Sequence, residues 1–368
     1  MRIKFIDLFA GTGAFRLGFE RAARKLGLNP VCVFTSEIDK FAQKTYEANF
    51  GDIPAGDFAQ VDYEAIPFHR VVLASTSCQP YSRAGNRHGK RDPRNTIPFL
   101  MDYMRTVMPE ALIHENVYNG FAKSGEYKEM VNGLELLGYT VQDKMYNSIS
   151  VTPQNRRRLF TVAFRDFPAA FRFEWGILPE LGLKMRDVLF EEVPEKYTLS
   201  DRTWEWLQRK VGDYYMNKTK WQSSIKMVDL DAGGGTLTST YGRNGGAAIL
   251  IPPELRKTPE FRNGFGYRVA EPDGTGNTLS ARYKNDGAEI LIEQKGKNPR
   301  RMTPRECARY MGLPDDFKIV VSDSQAYKQL GNAVVPAVVE CIAEGALRAM
   351  EFADGRKKIK EVAGCSYL

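Results

Sequence analysis

Arg2-Ile3-Lys4-Phe5-Ile6-Asp7-Leu8-Phe9-Ala10-Gly11-Thr12-Gly13-Ala14-Phe15 joins a run of apolar residues to two glycines and then to an apolar-faced helix. Ile3, Phe5, Ile6 and Leu8 load both faces of a short extended segment, residues 2–9, as in a buried strand of a parallel sheet. Gly11 and Gly13 follow at once, and Phe15, Leu17, Phe19 and Ala22 recur at helical spacing. Strand, glycine turn and helix together let backbone approach a ligand closely at a helix N-terminus. The turn is shorter than the dinucleotide fingerprint, because Gly13 is followed by Ala14-Phe15-Arg16; alone it is a weak sign of a nucleotide-like ligand.

The segments that follow strengthen that sign. A second strand, residues 30–36, ends in Glu37-Ile38-Asp39. An acidic residue there, about 20 residues after the glycine turn, suits hydrogen bonding to ribose hydroxyls. Ile38 beside it suits an adenine face, and Asp57 in Gly56-Asp57-Phe58 suits an adenine amino group. Each carboxylate alone reads as a solvated loop residue; in succession at strand ends they outline an adenosine pocket.

A third strand, Arg70-Val71-Val72-Leu73, delivers one thiol into the loop Ala74-Ser75-Thr76-Ser77-Cys78-Gln79-Pro80-Tyr81-Ser82-Arg83-Ala84-Gly85. Cys78 there is a candidate nucleophile, although a buried, inert cysteine explains this segment equally well. The basic residues Arg87, His88, Lys90, Arg91 and Arg94 follow directly and suit a loop that closes over a substrate and touches phosphates. A helix over 97–107 and a strand over 111–114 then present Glu115-Asn116-Val117, which puts a carboxylic acid beside the expected position of Cys78 as a proton donor. After a helix near 127–137, a hairpin loop carries Pro153-Gln154-Asn155-Arg156-Arg157-Arg158 ahead of a strand over 159–164. Three arginines can be a solvated charge run; at the mouth of the same sheet they fit a clamp for phosphate or for a polarised carbonyl.

Near residue 183 the βα alternation stops. The stretch to about 299 is rich in glycine and short β runs, carries Trp204, Trp206 and Trp221, and repeats a threonine strand, a Gly/Asn turn and an aliphatic strand at 235–251 and 277–292. Two copies predict paired hairpins of a small β domain, with Gly233, Gly234 and Gly235 suited to a loop that approaches a backbone or base edge. Thr303-Pro304-Arg305-Glu306 predicts a capping box and a helix ending at Gly312, and a last apolar helix spans 338–350.

The 368 residues suffice for a large core and carry a net charge of +7, which favours a polyanionic partner. Five scattered cysteines with no C-x-x-C pair, and three histidines, supply no zinc-ligand spacing, so no metal is expected. No apolar run approaches the roughly 20 residues of a bilayer span and no signal-peptide pattern is seen, which predicts a cytoplasmic protein without a membrane partner.

In this order the features resemble the DNA (cytosine-5)-methyltransferases of bacterial restriction–modification systems over nearly the whole chain. The matching residues are Phe9, Gly11 and Gly13; Glu37; Gly56-Asp57; Cys78-Gln79; Glu115-Asn116-Val117; Gln154, Arg156 and Arg158; Thr303-Pro304-Arg305-Glu306-Cys307-Ala308-Arg309; and Gly331-Asn332 with Val334. The resemblance implies an α/β fold: a Rossmann-like mixed sheet with helices on both faces that binds S-adenosylmethionine, plus a smaller β-rich target-recognition domain. Residues 1–185 would form the catalytic domain, 186–300 the recognition domain, 301–330 the hinge return, and 331–368 the completion of the catalytic domain by the C-terminal helix.

The resemblance also assigns roles. Cys78 would add to C6 of a flipped-out cytosine, Glu115 would hold and protonate its N3 edge, and Arg158 would hold O2 with Arg156 beside it. The cofactor would lie across Phe9, Gly11, Thr12, Gly13, Glu37, Ile38, Asp57, Phe58, Asn332 and Ala333. Double-stranded DNA would meet Gln79, Ser82, Arg83, Arg87, Gln154, Gly234, Gly235, Tyr241, Arg243 and Arg282; by residue type Arg243, Arg262, Arg268 and Arg282 suit guanine edges and suit phosphate equally well. A monomer with no obligatory protein partner is expected. One position breaks the pattern: the family usually has proline before the cysteine, and here Ser77 stands there, which relaxes φ and adds a hydroxyl. Two alternatives remain at this point, a tRNA cytosine-5 methyltransferase of the same fold and a DNA-binding homologue weakened in catalysis by Ser77.

Overall fold

The computed structural model describes residues 1–77, 80, 92, 94–205, 274, 275, 278, 279, 283 and 290–353. Among them, β1 (Arg2–Leu8), β2 (Asn29–Ser36), β3 (Val71–Ser75), β4 (Ala111–Val117), β5 (Thr140–Asn147) and β6 (Arg157–Phe164) form one sheet in the order β2-β1-β3-β4-β6-β5. The first four strands are parallel; β6 runs antiparallel to β4, and β5 antiparallel to β6. This is the mixed sheet that the family resemblance implies.

Period-two alternation decides what each face carries. Ile3 and Phe5 of β1, Val71 and Leu73 of β3, and Phe160, Val162 and Phe164 of β6 join one apolar cluster with α1 (Ala14–Lys25), α6 (Phe167–Arg172) and a C-terminal helix. Ile6, Leu8, Val72, Ala74, Leu112 and Ala163 join the other, against α3 (Ile97–Val107) and α5 (Gly125–Leu136). α2 (Lys40–Phe50) starts from Asp39, whose carboxylate accepts from the amides of Phe41 and Ala42, and the short α4 (Tyr118–Phe121) follows β4. β4 is longer than its apolar residues foretell, because β6 pairs along it as far as Val117–Arg158 and draws Glu115 and Asn116 into the ladder.

Past residue 185 the described flanks of the expected recognition domain are 3-10 turns at Met185–Asp187 and Glu195–Tyr197 and a hairpin of β7 (Leu291–Gln294) and β8 (Lys297–Arg301). Leu279, Tyr283, Ile290 and Ile292 belong to the same cluster as Ile3 and Phe5. Residues 206–273 lie outside the described residues.

α7 (Pro304–Tyr310) carries the expected capping box: Thr303 Oγ1 accepts from the Glu306 amide at 3.1 Å and Glu306 Oε2 from the Thr303 amide at 2.6 Å. Its carboxylate also receives both terminal nitrogens of Arg300 at 2.9 Å and the Phe190 amide at 2.8 Å, so a fully buried charge is completely paired.

α8 (Asp323–Asn332) and α9 (Pro336–Ala353) end the described chain. An 18-residue window within 323–351 has a mean hydropathy of 1.4, but 61% of that window is buried inside the protein and Pro336 divides the stretch into two helices. α9 packs on α1 through Gly18: a Cβ there would stand 2.5 Å from the Pro336 carbonyl oxygen and 2.7 Å from Val339 Cβ. Gly18→Ala is therefore expected to destabilise the protein by about 1–3 kcal/mol, the range for overpacking a closed core, read as a lower denaturation midpoint at unchanged m-value.

Candidate active site

The carboxyl ends of β1, β2, β3 and β4 and the turn between α8 and α9 enclose a cavity of about 510 Å³, within the range of roughly 300–1,000 Å³ usual for small-molecule sites. Phe9, Gly11, Thr12, Glu37, Ile38, Asp57, Phe58, Asn332 and Ala333 line it, together with Ser75, Thr76, Ser77, Glu115, Arg156 and Arg158. Gly13 is not in the wall: it caps α1 at φ 84°, and a Cβ on it would meet the Phe50 ring.

The glycine turn is shaped by backbone constraint. Phe9 holds φ 56°, uncommon for an aromatic residue, and its ring meets Phe58 edge-on at 5.6 Å. Gly11 at φ 55° leaves open space where a Cβ would stand. Glu37 takes the Gly11 amide on Oε2 at 2.8 Å and the Asp39 amide on Oε1 at 2.7 Å, so it shapes the turn while each oxygen keeps a lone pair; burial pushes its carboxyl up from the usual carboxylate range. Asp57 caps a 3-10 turn by accepting from the Ala59 amide at 3.0 Å, and Ile38 is 69% exposed at the rim.

Two buried hydroxyls of this wall, Thr12 Oγ1 and Ser36 Oγ, have no hydrogen-bond partner among the described residues. Buried polar atoms left unmatched beside a cavity mark where a ligand's polar groups belong. An open glycine face, a helix N-terminus and acidic groups at strand ends fit a cofactor with an adenosine and an amino-acid end.

At the other end of the cavity, sheet register aligns the chemistry. Val71, Leu73 and Ser75 alternate onto one face of β3, and Ala111, Ile113 and Glu115 onto the same face of β4. On that face β3 is apolar up to Ser75 and β4 up to Glu115. Ser75 and Glu115 are register partners, and Ser75 Oγ donates to Glu115 Oε2 at 2.9 Å. Arg158 sits diagonally across on β6, and its Nε meets Glu115 Oε1 at 3.0 Å.

The opposite face of the same two strands is dry. Thr76 Oγ1 meets His114 Nε2 at 2.7 Å and accepts from Asn116 Nδ2 at 2.9 Å. His114 is fully buried, which pushes its pKa down to about 3.

Arg156 and Gln154 brace backbone in this structure. Arg156 donates to the carbonyls of Leu279 (3.2 Å), Gly331 (3.1 Å) and Ala333 (2.6 Å), so the buried guanidinium braces the segment that carries Asn332. Gln154, expected at the DNA, has no exposed surface: its amide nitrogen donates to the Tyr310 carbonyl and Met311 Sδ, both at 3.1 Å, and its oxygen accepts from the Leu279 amide at 3.0 Å. It is a core brace and reaches no DNA surface in this structure.

Cys78, Gln79, Ser82, Arg83, Arg87, Gly234, Gly235, Tyr241, Arg243, Arg262, Arg268 and Arg282 lie outside the described residues. Two site elements were missed by the reading of the sequence. Lys328 Nζ meets Asp39 Oδ2 at 2.5 Å and Thr45 Oγ1 donates to Gln329 Oε1 at 2.9 Å, which together hold α8 on α2 at the cavity rim. Of these residues only Asp39 carries a local signal, as an acidic residue at a strand end.

This geometry agrees with a match to known proteins: residues 3–348 fit the model of the C-5 cytosine-specific DNA methylase family. The chain belongs to that family. It is 36% identical over 367 residues to Type II methyltransferase M.DsaV of Dactylococcopsis salina, covering 98% of this chain and 90% of that protein. It is 38% identical over 351 residues to M.SsoII of Shigella sonnei, covering 93% and 79%. The fold is shared with a solved methyltransferase of Entamoeba histolytica, EhMeth, at TM-score 0.69 and 19% identity, covering 97% and 100% of the two chains. C-5 cytosine methylases are S-adenosylmethionine-dependent transferases, and the cavity wall described above fits that cofactor.

Two outcomes are expected from this geometry. Arg156→Met should weaken S-adenosylmethionine binding about tenfold or more in calorimetry, since each hydrogen bond to a charged group is worth roughly 1.5–3 kcal/mol and its loss frees the Asn332 segment. Acid should destabilise the fold through His114: the unfolded state binds its proton below pH 6.5 and the folded state only near pH 3, so stability is lost as pH falls through that window. Between pH 7.5 and 5 the loss from this group is about 2 kcal/mol, and denaturant titrations of His114→Gln should lack that share.

Proposed function

We propose that the chain methylates C5 of a cytosine flipped out of a specific double-stranded DNA sequence, through a covalent bond between Cys78 Sγ and C6. What supports this best is the alignment of Ser75, Glu115 and Arg158 across β3, β4 and β6, at the end of a cavity shaped for an adenosyl cofactor and three residues from a thiol.

Cytosine has no acidic hydrogen at C5, so the ring must first be activated. The Cys78 thiolate adds to C6 and the displaced electron pair moves toward N3 and O2. Glu115, oriented by Ser75 and Arg158, binds the N3 edge and delivers a proton to N3. Arg158 stabilises the charge on O2. S-adenosylmethionine, when bound, supplies a methyl group on a sulfonium centre for the nucleophilic C5. Loss of the C5 proton, departure of the thiolate from C6 and return of the N3 proton to Glu115 then restore the neutral aromatic ring. Phe9, Gly11, Thr12, Glu37, Ile38, Asp57, Phe58, Asn332 and Ala333 would hold the cofactor, with Gly13 shaping the turn behind them.

Flipping costs a few kcal/mol, which contacts to the surrounding duplex offset. Residues 186–300 would read bases from the major groove, with Gly234, Gly235, Tyr241, Arg243 and Arg282 as the contacts favoured by residue type, and Gln79, Ser82, Arg83 and Arg87 would meet the target strand. A net charge of +7 favours the phosphate backbone. Every group named belongs to one chain, which suits a monomer acting in the cytoplasm of a bacterium.

Duplex DNA carrying 5-fluorocytosine should form a denaturant-resistant adduct with the protein when S-adenosylmethionine is present, because fluorine at C5 blocks the elimination. Cys78→Ser should form none, and Glu115→Gln should slow methylation about 10²–10⁴-fold. No adduct from the wild-type protein sinks the covalent reading and favours a DNA binder weakened in catalysis. Methylation of tRNA in preference to duplex DNA would transfer the activity to the RNA alternative.

A further inference from the structure

Three consecutive residues lead into Cys78, and each is tied to a different partner. Ser75 is bound by Glu115, Thr76 by His114 and Asn116, and Ser77 by Thr96, whose Oγ1 accepts from the Ser77 amide at 3.1 Å. The peptide unit between Thr76 and Ser77 is therefore fixed at both polar ends. Its carbonyl accepts from Asn116 Nδ2 at 3.1 Å, and its N–H donates to Thr96.

Thr96 is oddly employed for its position. It stands at the N-cap of α3, where a threonine hydroxyl ordinarily accepts from the amide two or three residues on. Here it makes no capping bond. Pro98, at the second helical position, has no N–H to offer, and Asn95 Oδ1 already takes the Ile97 amide at 3.1 Å. The helix start is thus built without the hydroxyl, which reaches across to the end of β3 instead.

A proline at position 77 would carry no N–H, and its ring would set φ near −65°. We propose that Thr96 is a positioning residue for methyl transfer: by accepting the Ser77 amide proton it holds the backbone ahead of Cys78, in place of the proline found there in the family's usual pattern. This rests on the reading of Cys78 as nucleophile. The two devices differ physically. A ring restricts one torsion wherever the loop lies, whereas the hydrogen bond fixes the peptide relative to α3.

A double-mutant cycle separates them. Thr96→Val keeps the shape and removes the acceptor; it should lower kcat for methylation about tenfold, the factor of one net hydrogen bond, with KM for S-adenosylmethionine within about twofold. Thr96→Ser should restore the rate. In the Ser77→Pro background the same Thr96→Val change should cost less than about twofold, because no N–H remains to be accepted. An equal loss in both backgrounds overturns the proposal.

Amide hydrogen exchange gives a readout independent of activity and of variants. In the wild-type protein the Ser77 amide should exchange at least about tenfold more slowly than an unstructured amide, and exchange at the unprotected rate overturns the proposal outright. If the amide is protected but no fluorocytosine adduct forms, the anchor stands and the covalent mechanism fails. If the adduct forms and the amide is unprotected, the mechanism stands and the anchor fails.

Discussion

The two-residue period at the carboxyl ends of β3 and β4 governs everything built on them. Odd positions, Ser75 and Glu115, turn toward the cavity and Arg158; even positions, Thr76, His114 and Asn116, turn into a dry interior and lock one another. A slip of one residue in either strand would exchange the two sets, turning the carboxylate away from the cavity and the anchors toward it. The apolar residues below them, Val71, Leu73, Ala111 and Ile113 on one face and Val72, Ala74 and Leu112 on the other, make that slip costly. Reactive geometry at the rim is therefore secured by hydrophobic burial several residues away.

Polar groups buried this way must be matched, and nearly all of the site's exactness comes from matching them. Burial keeps His114 neutral across the physiological range, which suits a hydrogen bond to a threonine hydroxyl and not an ion pair. Arg156 uses its charge on three carbonyls, and Glu306 collects an arginine and two amides. None of these charges meets solvent. They hold irregular backbone in place where no sheet or helix could, since carbonyls and amides outside regular structure need partners of their own.

The parts of the fold legible in the chain were those written in local pattern. Alternating apolar residues at 3–8, paired glycines at 11 and 13, and the Thr303–Glu306 box each specify their geometry within a few residues. Glu115 was legible as an acid at a strand end, although its strand runs on to Val117 through pairing with β6, a partner more than 40 residues away. Arg156 and Gln154 carried the right residue types in the right loop, yet their partners, Leu279, Tyr310, Gly331 and Ala333, lie over 120 residues on. A charged or amide side chain in a loop looks the same in sequence whether it faces a phosphate or a buried carbonyl. Thr96 was hidden for a related reason: its position announces a helix cap, and only the neighbouring strand end shows that the hydroxyl is used elsewhere.

The same long-range bonds explain why one cavity can draw its two walls from opposite ends of the chain. The turn at 331–333 reaches the cavity only because Arg156 grips its carbonyls, Lys328 and Gln329 bind Asp39 and Thr45, and α9 seats against Gly18. Arg156 also holds the Leu279 carbonyl, so the cofactor wall and the return from the long inserted segment share one guanidinium. A displacement of that return would have to break or drag a bond that fixes the carbonyls on either side of Asn332. The segment at Leu279 is thus tied, through one side chain, to the turn that completes the cavity wall.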